Sequence, residues 1–399
     1  MSQHYDVIIV GGGMVGATLA VALSTESSMK VALVEAHPPT ALSDAPELRV
    51  SALTHASETM LKNLAIWPLL TANRISPFSD MKVWETQSSF LHFDSADIGE
   101  ALLGNIVENK NLQFASLERC KQLENIDFIC PAKPISLEEN KLSLEDGRTL
   151  TADLIVGADG AHSLLRDWKD IQVRGWDYQQ SAVVCTVTTE KPHQYTAWQR
   201  FLPEGPLAFL PLPDEHQCSI VWSNSSEEAE LLSELDDGKF KTILAKAFEF
   251  TLGDIKDVSK RASFPLKLRH ADHYVEPGFA LVGDAAHTIH PLAGQGVNIG
   301  LLDAATLAET VIAAHHKGRN IGSLHTLKKY QRRRKGDNLA MQLTMDAFKR
   351  IFGSDLEPIR WARRFGLKTV NQSALLKNLF MQQASGHRFA NPDLTEQNL

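Results

Sequence analysis

The sequence predicts an α/β protein with three parts: a parallel-sheet domain that carries the binding chemistry, a second domain on an antiparallel sheet, and C-terminal helices. Three observations predict it. Short apolar runs at 5–10, 154–156 and 279–282 each lead into a glycine-rich turn, and the last two of those turns carry Asp159 and Asp284. Runs rich in β-branched and aromatic residues at 182–189, 197–202 and 218–222 lie between the second and third of these. An apolar stretch through Leu307, then a basic one from Lys328, begins a helical region that reads on to about residue 384.

Composition agrees with a folded chain of this kind. The 399 residues allow two or three domains at roughly 100–200 residues each. Hydrophobic residues make up 43% and charged residues 22%, an ordinary globular balance. Forty basic against 48 acidic residues leave a net charge of −8, and the pI is near 6.0, so the chain lacks the overall basic field of a nucleic-acid binder. Cys120, Cys130, Cys185 and Cys218 contain no C-x-x-C pair; neither a metal site nor a disulfide framework is expected, and they read as small buried residues in a reducing compartment. The N-terminus has no basic leader, and the uncharged stretch 7–23 is too short and too glycine-rich to span a bilayer. A cytoplasmic protein is expected, with any membrane contact peripheral, at the inner membrane.

The first 35 residues carry the clearest chemistry. Strand 5–10 runs into Gly11-Gly12-Gly13-Met14-Val15-Gly16, a G-x-G-x-x-G turn; residues 17–23 continue as helix, and strand 30–34 ends at Glu35. One glycine permits the tight turn, one lets a pyrophosphate reach the backbone, and one lets the helix pack on the strand. The helix N-terminus offers unbonded N–H groups and a positive dipole end to the phosphates. Glu35 is placed to accept hydrogen bonds from an adenosine ribose, and an acid there disfavours a 2′-phosphate, which suits FAD or NAD better than NADP.

Two later segments favour FAD. Residues 154–160 end in the Gly157-Ala158-Asp159-Gly160 turn, followed by Ser163 and Arg166, and residues 279–287 end in Gly283-Asp284. Acids or glycines at three strand ends suit a ligand that spans a whole sheet edge, and FAD is long enough. The loop 291–298 opens the next helix, whose N-terminal N–H groups would face the flavin pyrimidine edge and favour the anionic reduced form.

The order GGGMVG at 11–16, LRVSAL at 48–53, GADGAHS at 157–163 and GDAAHTIHPLAGQGVN at 283–298 resembles the group A flavoprotein aromatic hydroxylases. Within them it is similar to the ubiquinone-biosynthesis ring hydroxylases. The likeness runs from Asp6 to about residue 377, with further matches at 104–109, 209–212 and 327–338. The last of these, with 197–212, looks most like the branch acting on a 2-polyprenyl-3-methyl-6-methoxy-1,4-benzoquinol ring. His162 and Asn105 depart from the family pattern.

The resemblance implies a Rossmann-like FAD domain in the group A hydroxylase arrangement. It implies that Gly11, Gly13 and Gly16, with Met14 and Val15 in the same turn, hold the pyrophosphate, and that Glu35 holds the ribose. Arg49 would reach the pyrophosphate or ribityl region, Asp159 would lie behind the pyrophosphate, and Asp284 would bond the ribityl hydroxyls. Gly294, Gly296, Val297 and Asn298 would contact the isoalloxazine. His290 and Pro291 would lie near the flavin, although His287 and His290 also read as helix-capping residues; no catalytic base is assigned. The implied reaction is hydroxylation of a polyprenylated quinol or phenol through a flavin C4a-hydroperoxide formed from O2, with NAD(P)H as transient reductant.

The expected organisation is a discontinuous FAD domain over 1–75, 101–178 and 270–338. A substrate domain is expected over 76–100 and 179–269, then helices over 339–384 and a disordered tail over 385–399. Proline-rich turns are expected at 203–213 and a helix over 227–250. Basic clusters at Lys328, Lys329, Arg332, Arg333, Arg334 and Lys335, and at Arg360, Arg363, Arg364 and Lys368, read either as solvated helix faces or as contacts to a membrane or to a quinone-biosynthesis assembly. Other classes fit less well. An NAD-dependent dehydrogenase leaves Asp159 and the 283–287 turn unexplained, a flavin halogenase lacks its W-x-W segment, and a non-enzymatic prenyl-lipid carrier would not need an intact flavin loop.

Overall fold

A run of buried β-branched residues needs cover on both faces, and the chain supplies it with helices. In the computed structural model, which describes residues 3–86, 90–288, 296–352 and 391–396, strand Gln3–Val10 is buried from Val7 onward. Helix α1 (Met14–Thr25) follows at once. Five parallel strands lie in the order Ile126–Ile129, Val31–Val34, Gln3–Val10, Thr149–Gly157, Phe279–Leu281. Strand Val275–Glu276 pairs antiparallel at one edge, and the hairpin Pro134–Glu138/Lys141–Leu144 extends from Thr149–Gly157. Chain order reverses at Gln3–Val10: the next two parallel strands in sequence are added on one side of it, and the later two on the other. Ligands of open α/β sheets bind at such a switch point, outside the carboxyl ends.

A smaller antiparallel sheet of Val50–Leu53, Gly104–Glu108 and Ile75–Phe78 sits beside it. It is linked to helix α2 (His55–Asn63), which Thr54 caps through the Ser57 N–H. Helix α3 (Asn109–Lys121) packs on α1, and the short α4 (Leu164–Trp168) follows the Asp159 turn.

The second large sheet has nine strands. Its main path runs His287–Thr288, Ala262–Ala271, Val173–Thr189, Gln217–Ser225, Pro206–Pro211, Thr196–Phe201, Asp80–Trp84, Phe90–Asp94, and Ile255–Val258 pairs with Val173–Thr189. It is antiparallel except for the parallel pair Thr196–Phe201 with Asp80–Trp84. Val173–Thr189 is one continuous strand through residue 178. The proline-rich stretch expected as turns contains a central strand, Pro206–Pro211, bonded on both sides. Its prolines stand at the two ends of the strand, so Leu207–Leu210 keep their ladder N–H groups. The expected helix over 227–250 is two helices, α5 (Ser226–Glu234) and α6 (Asp237–Ala247). The break falls where Leu235 and Asp236 turn extended and Asp236 caps α6 through the Lys239 N–H. Their apolar faces, with Phe240, Leu244 and Phe248, close over Val183, Phe209, Ile220 and Trp222 of the sheet.

Helix α7 (Gly296–His315) packs on α1 and on α8 (Leu324–Phe352). It is long and apolar enough to cross a membrane by composition, but the protein itself buries most of it. The tail expected to be disordered from residue 385 is ordered at Asn391–Glu396. Leu394 packs on the main core, and Asn63 of α2 donates to the Leu394 and Glu396 carbonyls at 2.9 and 3.0 Å. The segment 360–368 lies outside the described residues. Cys120, Cys185 and Cys218 are buried as expected, Cys130 is half-buried, and all are free thiols.

Candidate functional site

The glycine turn is built as its chemistry requires. Gly11 has φ +112°, and a Cβ there would stand 2.3 Å from the Ala158 carbonyl oxygen. A Cβ on Gly16 would meet the Gly11 carbonyl at 2.0 Å, so this glycine lets α1 close onto its own strand. Gly13 faces open space and begins α1 without a side-chain cap. The first N–H groups of the helix, at Met14, Val15 and Gly16, therefore have no helical partner. Glu35 reaches across from the end of Val31–Val34: its Oε2 accepts the Gly12 N–H at 2.6 Å and its Oε1 the His37 N–H at 3.0 Å. Gln113 of α3 donates to the Gly12 carbonyl at 2.9 Å, a contact the sequence reading missed because a polar residue in a mixed helix leaves no local signal.

Asp159 follows strand Thr149–Gly157. Its Oδ2 accepts the Leu165 N–H at 3.3 Å, while its buried Oδ1 has no partner. Burial holds its carboxyl above the ordinary range despite bonds from Ser163 and the start of α4. Asp284 follows Phe279–Leu281. Its side chain is open to solvent yet surrounded by protein. Burial among protein atoms raises its carboxyl even though His287 and Arg49 pull it down. Arg49 is exposed, lies near Asp284 and sits over the Phe264 ring at 5.8 Å.

At the start of α7, Gly296 is exposed and Val297 and Asn298 are buried. The Asn298 side chain is committed elsewhere: it donates to the Ala52 carbonyl at 2.7 Å and accepts the Thr54 N–H at 3.1 Å. It pins α7 to the junction before α2, which leaves its backbone as the group available to a ligand. His290, Pro291 and Gly294 lie outside the described residues.

Arg166 joins two of the turns. It is buried, and it donates to Ala285 and Ala161 carbonyls at 3.1 and 3.2 Å. A cavity of about 410 Å³ beside it is lined by Asp167, Asp170, Gln172 and Arg269 among others.

Glu35, the glycine turn, Asp159 and Asp284 thus occur in spatial order along the carboxyl edge, in the order of their strands. Uncapped helix N–H groups, an unpartnered buried carboxylate oxygen and an exposed acid at a strand end fit a ligand with ribose hydroxyls, a pyrophosphate and a polyol chain. FAD has all three.

Residues 138–346 match the FAD binding domain family. The 3-demethoxyubiquinol 3-hydroxylase of Escherichia coli (strain K12) is 38% identical over 390 residues, covering 96% of this chain and 99% of that protein. The chain belongs to the ubiquinone-biosynthesis hydroxylases. Another relative, ubiquinone hydroxylase UbiL of Rhodospirillum rubrum, is 39% identical, covering 96% of this chain and 89% of its own. The fold is that of p-nitrophenol 4-monooxygenase PnpA from Pseudomonas putida DLL-E4, with TM-score 0.80 at 19% identity over 98% of this chain and all of that one. As a member of this family the protein is an FAD-dependent aromatic-ring monooxygenase, and NAD(P)H is the co-substrate typical of the family.

Proposed function

We propose that this ubiquinone-biosynthesis hydroxylase acts on the ring of a polyprenylated demethoxy-benzoquinol, with O2 and NAD(P)H as co-substrates. The end-to-end likeness to the E. coli 3-demethoxyubiquinol 3-hydroxylase carries the reading. When bound, FAD supplies the redox and oxygen-activating chemistry that side chains lack.

The chain's own residues hold and orient. Glu35 takes the adenosine ribose. Gly11, Gly13 and the N–H groups of Met14, Val15 and Gly16 take the pyrophosphate, with Asp159 behind it. Arg49 and Asp284 take the ribityl chain, and the loop with Gly294, Gly296, Val297 and Asn298 faces the flavin ring. The segments 76–100 and 179–269, which supply most of the nine-stranded sheet, serve as the substrate domain, and the sheet excludes water from the reacting carbon. A quinol is already electron-rich through its own hydroxyls, so the reading requires no strong protein base.

An isoprenoid tail favours the bilayer by roughly 0.8 kcal/mol for each CH₂. Full extraction into water is therefore excluded, and we place the enzyme at the cytoplasmic surface of the inner membrane or in an assembly that shields the tail. Arg360, Arg363 and Arg364 are the proposed contact.

The decisive experiment is deletion of the gene with mass spectrometry of the accumulated quinone. Accumulation of the demethoxy-quinone, with hydrogen on the ring carbon that would bear the missing methoxy group, supports the reading. An intermediate unhydroxylated at another position of the same ring would instead make the protein the hydroxylase of that position. In vitro, one atom of ¹⁸O₂ should appear on the ring of a short-chain demethoxy-quinol; label arriving from water excludes the mechanism.

A further inference from the structure

An acid buried in an apolar core helix must find a partner, and α7 carries Asp303 in the middle of a run of buried residues. The Asp303 carboxylate is fully buried. Its two oxygens serve different parts of the fold. Oδ1 accepts from Arg334 Nε at 2.8 Å and Asn338 Nδ2 at 3.2 Å, both on α8. Oδ2 accepts from the Gly283 backbone N–H at 3.1 Å and from His287 Nε2 at 2.5 Å.

Gly283 and His287 bracket Asp284. A salt bridge that only secured α7 to α8 would use Oδ1 and leave Oδ2 indifferent to the turn. Here one oxygen holds both ends of the segment from which Asp284 projects, and Arg166 holds its middle through the Ala285 carbonyl. Among the described residues the Asp284 side chain makes no bond to this scaffold, and it is exposed. A group held this way has its direction set before a ligand arrives, which is how supporting contacts raise affinity without touching the ligand.

We propose that Asp303 is a positioning residue for the FAD-binding turn, fixing the aim of Asp284 through its bonds to Gly283 and His287, with Arg334 and Asn338 holding the carboxylate in place. The proposal rests on the reading that Asp284 bonds the ribityl chain, and the test separates the two.

Four variants are compared with the parent: D284A, H287A, H287Q and the double variant D303L/R334M. The double variant removes both buried charges together, so neither is left unpaired. Each is titrated with FAD by fluorescence quenching after flavin removal. The visible spectrum of the reconstituted protein and the melting of the flavin-free protein are recorded alongside. H287A and the double variant should weaken FAD binding by roughly tenfold or more, with a shifted flavin absorption band, at a temperature where the flavin-free melting shows each variant still folded. H287Q, which keeps a donor toward Asp303, should recover most of the loss.

If H287A and the double variant bind FAD within about twofold of the parent while D284A loses it, Asp303 is a stabilising ion pair only and the proposal fails with the Asp284 reading intact. Failure of H287Q to rescue H287A overturns it too, because the bond would then not be the cause. If D284A retains FAD, the Asp284 reading falls and takes the proposal with it. Should the double variant not fold, the comparison of H287A with H287Q decides the matter alone.

Discussion

Glu35 accepts the Gly12 backbone N–H at 2.6 Å, so the acid ending one strand holds the glycine turn that ends its neighbour. The two groups proposed to meet the ribose and the pyrophosphate are thereby fixed to each other before any nucleotide is present. One carboxylate does two jobs, and both should fail together.

Glu35→Ala should therefore weaken FAD binding by about 1.5–3 kcal/mol, the worth of a charge-assisted hydrogen bond, and Glu35→Gln by less because its oxygen can still accept from Gly12. Fluorescence titration with FAD measures both. Equal affinity for the Ala variant and the parent would remove Glu35 from the site.

The crossing of α1 and α7 is equally specific. A Cβ on Gly300 would lie 2.6 Å from Val15 Cγ2. Gly300→Ala should cost about 1–3 kcal/mol through overpacking, and Val15→Ala in the same chain should relieve it. A double-mutant cycle in urea reads the coupling; additive losses would mean that the helices do not meet there.

Acid sensitivity should trace to Asp303. Bonds from His287 and Arg334 pull its carboxyl down to about 2, although burial opposes them. Its folded value lies below the unfolded one, near 3.9. As pH falls, the unfolded chain therefore takes up the proton first. The stabilisation, on the order of 2 kcal/mol, is complete above the ordinary carboxylate range and is lost as pH falls toward the folded value. The melting temperature of the parent should drop more steeply between about pH 5 and pH 3 than that of D303L/R334M. Parallel melting curves for the two would show that Asp303 is not depressed.

The tail makes a fourth case. Asn63→Ala removes both bonds to the Leu394 and Glu396 carbonyls and should cost about 1–3 kcal/mol. Truncation after residue 390 should lower the melting temperature in the same direction, and the two changes together should not add. Full additivity in calorimetry would mean that Asn63 and the tail act separately.

The parts of the site that were legible in the sequence share a physical character. Gly11, Gly16, Glu35, Asp159 and Asp284 answer demands made within a few residues: a positive φ, a close approach, or an acid just past a buried strand. Such demands are written in residue type and spacing, so the row of groups along the sheet edge could be read before the sheet was seen. The resemblance to the ring hydroxylases then named the ligand that fits the row.

What lay outside that reach depends on partners distant in sequence. Pro206–Pro211 looks like a turn by composition and is a central strand because Thr196–Phe201 and Gln217–Ser225 arrive on either side of it. Asn298 looks like a ligand contact, and its side chain is spent on Ala52 and Thr54. Arg334 sits within a basic run that reads as a solvated face, and it is the buried partner of Asp303. The sequence by itself determined where the backbone must turn and which strand ends carry acids, because local sterics and hydrogen-bonding capacity decide those. Only the tertiary structure decided which charges are buried together and which polar side chains are free, because burial and pairing energies depend on the element that packs opposite, and no spacing along the chain records it.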